Sequence, residues 1–186
     1  MAAADSPRWS QVENHCRALV DDLPQSFAVR HLYGKYLLKA ERFPDASQQF
    51  RESLQNHKGH VASRIGLATA LWKLKKFKNA ESEFRSALSR AVRTGGATAP
   101  IQTALGWLYI DWQRWLDARL AFETARNEAP DYAGNYWGIG RAEFELGNYA
   151  SAAESLRRAL STTNLKPPAS DEIPALLEKC LTHLKE

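Results

Sequence analysis

Apolar residues recur three and four positions apart along most of the chain, the spacing that gives an α-helix one buried face. The runs come in pairs. Tyr33, Gly34 and Leu37 precede Phe43, Ala46, Phe50 and Leu54; Leu67, Ala68 and Leu71 precede Phe77, Ala80, Phe84 and Ala87. Leu105, Gly106 and Tyr109 precede Trp115, Ala118, Phe122 and Ala125, and Tyr136, Ile139 and Gly140 precede Tyr149, Ala152, Leu156 and Ala159. The pattern predicts an all-α chain built from helix pairs.

Each recurring residue has a packing reason. Gly106 lets one helix approach another closely, Ala118 suits a helix crossing, and Phe122 fills the wedge beside it. Pro130 stops the second helix, because it lacks an N–H and disfavours the α conformation before it. The small residue recurs at Ala46, Ala80, Ala118 and Ala152, in steps of 34, 38 and 34, with the extra four in Arg93-Thr94-Gly95-Gly96. The large residue four places on recurs as Phe50, Phe84, Phe122 and Leu156, and the aromatic three places before as Phe43, Phe77, Trp115 and Tyr149.

Leu105-Gly106-x2-Tyr109…Ala118-x3-Phe122…Pro130 resembles the tetratricopeptide repeat (TPR), a helix–turn–helix unit of about 34 residues. The resemblance implies an all-α α-solenoid of four TPR helix–turn–helix repeats, residues 27–60, 61–98, 99–132 and 133–166. An N-terminal capping helix (1–26) and a C-terminal capping helix (167–186) would close its ends.

The first cap is expected from Ser6-Pro7, with Trp9, Val12, Cys16, Leu19 and Val20 at helical spacing up to Leu23-Pro24. Lys58-Gly59 replaces a closing proline in the first repeat, and the second helix of the second repeat is expected to run to about Arg93. Gln113 stands where the family has an inter-helix glycine, predicting a less regular third turn. Glu143 takes a usual aromatic place, predicting looser packing there. The second helix of the fourth repeat should end near Thr162–Asn164. Leu165–Ser170 then breaks the pattern, and Ser170 is expected to cap a last helix with Asp171 and Glu172 in its first turn. Ile173, Leu176, Leu177, Cys180 and Leu184 would form its apolar stripe.

At 186 residues the chain is long enough for one sizeable core. No apolar run reaches the length of a membrane helix, and MAAADSPRWSQ lacks the form of a secretory signal. Cys16 and Cys180 fall at opposite ends and read as reduced structural thiols, so a cytoplasmic location is expected. The net charge of +4 is uneven: residues 27–92 hold 13 Lys/Arg against 5 Asp/Glu, whereas 99–166 hold 7 against 8. Lys73-Leu-Lys75-Lys76-Phe-Lys78 concentrates the excess. It reads as a solvated turn with Leu74 and Phe77 packed inward, or as an edge for an acidic partner or nucleic acid.

Catalytic constellations are missing. His57-x2-His60 has no cysteine or paired carboxylate at ligand spacing, so no metal is expected. Gly138-x-Gly140 lies inside a helix with no strand before it and is not a phosphate loop. Neither cysteine sits in a motif. The reading is non-enzymatic, without cofactor.

The first helix of each repeat carries a second stripe, at repeat positions 2, 5, 9, 12 and 13, turned away from the packed one. It holds His31, Lys35, Leu38 and Lys39, then Ile65, Thr69, Trp72 and Lys73. The third repeat adds Thr103, Trp107, Ile110 and Asp111, and the fourth Trp137, Arg141, Phe144 and Glu145. In TPR proteins this face lines the concave groove that holds extended or helical peptides. The resemblance thus implies a partner-binding surface, aromatic in the last three repeats and basic in the first. Trp72 and Phe144 divide between groove and inter-repeat packing, Trp107 and Trp137 are expected in the groove, and Trp112 and Trp115 in the core.

The clamp by which some TPR domains grip heat-shock chaperone termini is missing. His31, Lys35, Gly66, Pro100 and Ala104 stand at its positions in one frame; Ile65, Thr69, Ala104, Gly134 and Gly138 stand there in the other. Nor is there a ladder of groove asparagines of the glycosyltransferase type. The expected function is a protein–protein adaptor or assembly factor holding a partner segment, acidic in character, with nucleic acid disfavoured. A small TPR chaperone of secretion-system or other assembly subunits is an alternative, as is an RNA-associated scaffold using Lys73–Lys78.

Overall fold

The computed structural model describes residues 7–162 and 169–185, and for residues 7–9, 169 and 170 the backbone alone. Among the described residues there are ten helices and no strand. They are α1 (Pro7–Asp22), α2 (Phe27–Lys39), α3 (Phe43–Asn56), α4 (Val61–Lys73), α5 (Phe77–Thr94), α6 (Ala99–Asp111), α7 (Trp115–Glu128), α8 (Ala133–Glu145), α9 (Tyr149–Leu160) and α10 (Ala169–His183). The chain forms two compact units, Met1–Gly95 and Gly96–Glu186.

The helices of each pair are joined by the same turn. Glu41 N donates to Leu38 O at 3.1 Å and Arg42 N to Leu37 O at 2.9 Å. Gln113 N to Ile110 O (3.0 Å) and Arg114 N to Tyr109 O (2.9 Å) repeat the pattern, as do Gly147 N to Phe144 O (3.0 Å) and Asn148 N to Glu143 O (2.9 Å). This double closure needs a left-handed residue after the helix. Gly147 supplies it at φ 79°, but Glu41, Lys75 and Gln113 adopt φ 58°, 59° and 59°. The third turn is therefore as regular as the fourth: Gln113 takes the glycine's conformation instead of distorting the turn.

In the first unit α2 packs on α3, α3 on α4 and α4 on α5. Phe50 is fully buried between two glycines of neighbouring pairs. A Cβ on Gly34 would lie 2.8 Å from its ring, and one on Gly66 2.4 Å. α5 ends where Gly95 turns left-handed at φ 67°. Lys75 Nζ lies 5.6 Å from the Phe77 ring, and Leu74 and Phe77 are half-buried, the arrangement of a solvated turn with its apolar members packed inward.

α1 packs on α2 with little apolar burial, contrary to the expected stripe: Val12, Leu19 and Leu23 are 44%, 46% and 51% exposed. The Ser6 cap and the Trp9 side chain fall outside the described residues. Polar ties hold α1 instead. Glu13 Oε1 accepts from Arg42 Nη1 at 2.6 Å, and Arg17, which pairs with Glu13 within α1 at 2.6 Å, donates from Nε to Tyr33 Oη on α2 at 3.3 Å. Burial pushes the Glu13 carboxyl up, but hydrogen bonding and charge from Arg42, with help from Arg17, outweigh it and hold the carboxyl below its ordinary range.

The second unit repeats the wedge. A Cβ on Gly106 would lie 2.7 Å from the Phe122 ring and one on Gly138 2.4 Å, while Gly140 faces Leu156 in the same way at 2.7 Å. α10 packs on α9 and α8. Its Ile173 and Cys180 are fully buried with Ala152, Ala153, Leu156 and Ala159. Leu176, Leu177 and Leu181 pack around them; Leu184, expected in this stripe, is 51% exposed because α10 ends at His183. α10 begins at Ala169, one residue before the expected Ser170 cap, and the Ser170 side chain and Asn164 lie outside the described residues.

Glu143 does not leave a loose spot. It is 6% exposed, accepts from Asn148 Nδ2 at 2.6 Å and pairs with Arg119 Nη1 at 3.3 Å. Trp112 and Trp115, expected in the core, are half-buried. They flank the α6–α7 turn, where the Arg114 guanidinium lies 4.8 Å from the Trp112 ring and 4.7 Å from Tyr109. Both cysteines are free thiols, pushed up in pKa chiefly by burial.

Candidate partner-binding site

The stripe residues of the first unit divide by chemistry. Lys35, Lys39 and Lys73 are exposed, whereas His31, Leu38, Ile65, Thr69 and Trp72 are half-buried. Lys73 Nζ lies 5.1 Å from the Trp72 ring.

His31 serves structure. Its Nδ1 lies 3.1 Å from Ser63 Oγ on α4, and His60 Nδ1 lies 2.6 Å from the same oxygen. Ser63 Oγ is also 2.8 Å from Ser53 Oγ, which donates to Phe27 O at 2.8 Å. Each hydroxyl has one proton and two lone pairs. Since Ser53 gives its proton to Phe27, Ser63 must donate to Ser53, and both imidazoles must then donate from Nδ1. The network is complete with both histidines neutral. Burial, then the charges of His60 and Lys35, push the His31 imidazole down to about 4; burial, then His57, lowers His60. His57 Nδ1 accepts from Gly59 N at 3.2 Å, and Phe27 packs edge-on against His57 and His60 at 4.7 and 4.9 Å. Among the described residues, no group of three His, Cys, Asp or Glu is placed to hold a metal ion.

The second unit holds the aromatic part. The Trp107 and Trp137 rings lie 4.6 Å apart on α6 and α8, and Trp107 meets Phe122 edge-on at 5.0 Å. Both indoles are half-buried, outside the layer in which Phe122 is fully enclosed. Asp111 and Arg141 stand four residues beyond Trp107 and Trp137, one helical turn on, with Asp111 exposed and Arg141 half-buried. Thr103 is half-buried and Glu145 exposed.

Two expected groove residues belong to the packing. Ile110 is 3% exposed, because its place on α6 turns it into the helix-pair core. Phe144 packs on Tyr149 at 5.5 Å and on His183 of α10 at 6.2 Å, so the last helix covers it. Tyr149 and His183 stack at 4.3 Å and complete that contact.

Position 5 of the stripe also has a tethering role that its polarity alone did not reveal. Thr103 Oγ1 lies 2.8 Å from Asn135 Oδ1 and 3.0 Å from Ala99 O, so His31–Ser63 and Thr103–Asn135 are the same contact, 32 residues apart in each case. One hydroxyl proton cannot serve two acceptors. Turning the Asn135 amide over lets Nδ2, which otherwise has no partner, donate to Thr103 Oγ1 while Thr103 donates to Ala99 O. Polar residues at position 3 of the second and fourth repeats were the available signal.

No helix among the described residues is long and apolar enough to cross a membrane. Comparison with curated proteins finds no match. Among solved structures, the type IV pilus biogenesis factor PilW is similar at 12% identity and TM-score 0.83, covering 95% of this chain and 80% of PilW. The APC/C Cut9–Hcn1 hetero-tetramer gives 18% identity and TM-score 0.76 over 91% of this chain, which spans about a third (32%) of the matched chain. YrrB, described as a TPR protein with an unusual peptide-binding site, gives 10% identity and TM-score 0.68 over 91% of this chain and 84% of its own. These likenesses establish the all-α repeat fold, and repeats of this kind generally build non-enzymatic scaffolds for protein interaction. The family model for the tetratricopeptide repeat matches residues 33–95 and 103–169, so the chain belongs to the TPR family.

Proposed function

We propose that the chain is a non-catalytic adaptor that holds a segment of a partner protein against the Trp107–Trp137 pair. The observation that carries this reading is the placement of two half-buried indoles 4.6 Å apart on neighbouring helices. Each ring is packed on its inner side, Trp107 against Phe122 and Trp137 against the buried cluster shared by α9 and α10, and what each leaves exposed is what a guest segment would meet. Aromatic side chains of this kind are the usual anchors of protein interfaces. Arg141 and Asp111, one turn from the indoles, would orient the guest by charge, while Lys35, Lys39 and Lys73 give the first unit its own basic surface.

The test is an affinity pull-down with the wild-type chain beside a Trp107→Ala/Trp137→Ala variant, read by mass spectrometry. A partner retained by wild type should be lost, with affinity falling by about 2 kcal/mol or more. Trp107 also rests on Phe122 and Trp137 on the α9–α10 cluster, so the variant's melting temperature will drop, and circular dichroism must show it folded at the pull-down temperature. Arg141→Glu supplies a milder second variant that leaves both rings in place. A folded double variant that captures the same partners would sink the reading.

A further inference from the structure

A concavity lies wholly within the first unit, beside α5. It has a volume of about 490 Å³ and is lined by Lys58, Arg64, Arg85, Arg90 and Arg93 with no carboxylate among its lining residues. Ser82, Ser86 and Ser89, all exposed, complete the wall and bring hydroxyl donors to it. The α5 members recur three and four residues apart, so they form one stripe along the helix.

The charge is only partly answered from within. Arg64 pairs with Glu83 at 2.8 Å and Arg85 with Glu81 at 3.0 Å, whereas Lys58, Arg90 and Arg93 make no salt bridge among the described residues. Arg93 stands in the last turn of α5, where a cation favours the helix dipole, but that effect explains one residue and not the set. Lys58 and Arg64 flank the first turn of α4, which has no acidic residue and no side-chain cap.

We propose that this concavity docks an acidic, extended segment of a partner protein. Arg85 and Arg93 are eight residues apart, about 12 Å of helix rise, a span that about four residues of extended chain cover. Carboxylates on such a segment meet guanidinium forks along the whole stripe. No aromatic side chain lines the cavity. Single-stranded nucleic acid, which relies on base stacking, therefore fits it less well than a peptide does. The site is separate from the indole pair, which belongs to the other unit.

Fluorescence anisotropy with the full chain tests this, using a labelled decaglutamate peptide, decaglutamine of the same length and an oligothymidylate. The glutamate peptide should bind, decaglutamine should not, and raising salt should weaken the binding. Arg90→Ala/Arg93→Ala should weaken it at least tenfold, and Lys58→Ala should weaken it independently. Lys75→Ala/Lys76→Ala, which removes the same charge outside the cavity, and Trp107→Ala/Trp137→Ala should both retain it. No binding by wild type overturns the proposal. So do equal losses in the two charge-matched variants, which would mean attraction to net charge alone. Tighter binding of oligothymidylate, lost in the Arg90/Arg93 variant, would make the cavity a nucleic-acid surface instead.

Discussion

Thr103 Oγ1 and the Asn135 side-chain amide lie 2.8 Å apart, tying the first helix of one pair to the first helix of the next. Asn135 is fully buried, so its amide depends on that partner. Thr103→Val keeps the shape and removes the hydroxyl, and should destabilise the chain by about 1–3 kcal/mol through an unmet buried group. Adding Asn135→Leu should recover part of the loss, because both partners are then apolar. Urea denaturation of the single and double variants measures the difference.

Acid should loosen the first unit. His31, at about 4, and His60 both titrate below the ordinary imidazole value of 6.5 in the folded chain. The unfolded chain therefore binds more protons as the pH drops, so the contribution is fully present above about 6.5 and is lost as the pH falls towards about 4. The melting temperature should decline over that window, and His31→Gln should flatten the decline. Glu13, whose folded carboxyl is lowered from 4.5, adds its own loss at still lower pH.

Gly138→Ala should be costly although alanine is the better helix former. Its Cβ would sit 2.4 Å from the Phe122 ring, an overlap that overpacks the wedge by about 1–3 kcal/mol. Pairing it with Phe122→Leu should cost less than the two single effects added together, a non-additivity that thermal melts can detect.

Gln113→Gly should stabilise. A left-handed residue with a Cβ costs about 1–2 kcal/mol, and the extra freedom of an unfolded glycine returns roughly half of that. A net gain of about 0.5–1 kcal/mol in chemical denaturation is expected at this exposed turn. Gly147→Ala, at φ 79°, should move stability the other way.

Much of the fold was legible because each packing position recurs in phase. Ala46, Ala80, Ala118 and Ala152 are all fully buried, as their shared register implies. Gln113 misled because a side chain reveals little about φ: the turn's closing hydrogen bonds outweigh the preference for glycine. The site was less legible. A stripe on one helix predicts direction, not what another helix lays over it, so Phe144 stayed divided between groove and packing until α10 was seen to cover it. His31 looked like surface because its partner, Ser63, lies 32 residues away. α1 read as an apolar cap, yet Glu13 to Arg42 and Arg17 to Tyr33 hold it where Val12 and Leu19 do not.

Phe122 belongs to two helix pairs at once, wedged against Gly106 of its own and Gly138 of the following one. The physical joint of this architecture thus lies across a ring rather than in the connecting turn. Cutting the chain after Pro130 would strip one wall from an otherwise sealed phenyl group, and grafting in a foreign pair would succeed only if it brought glycine to the receiving place. Engineers who lengthen or shorten such an array should therefore exchange segments that begin and end on the same side of that ring.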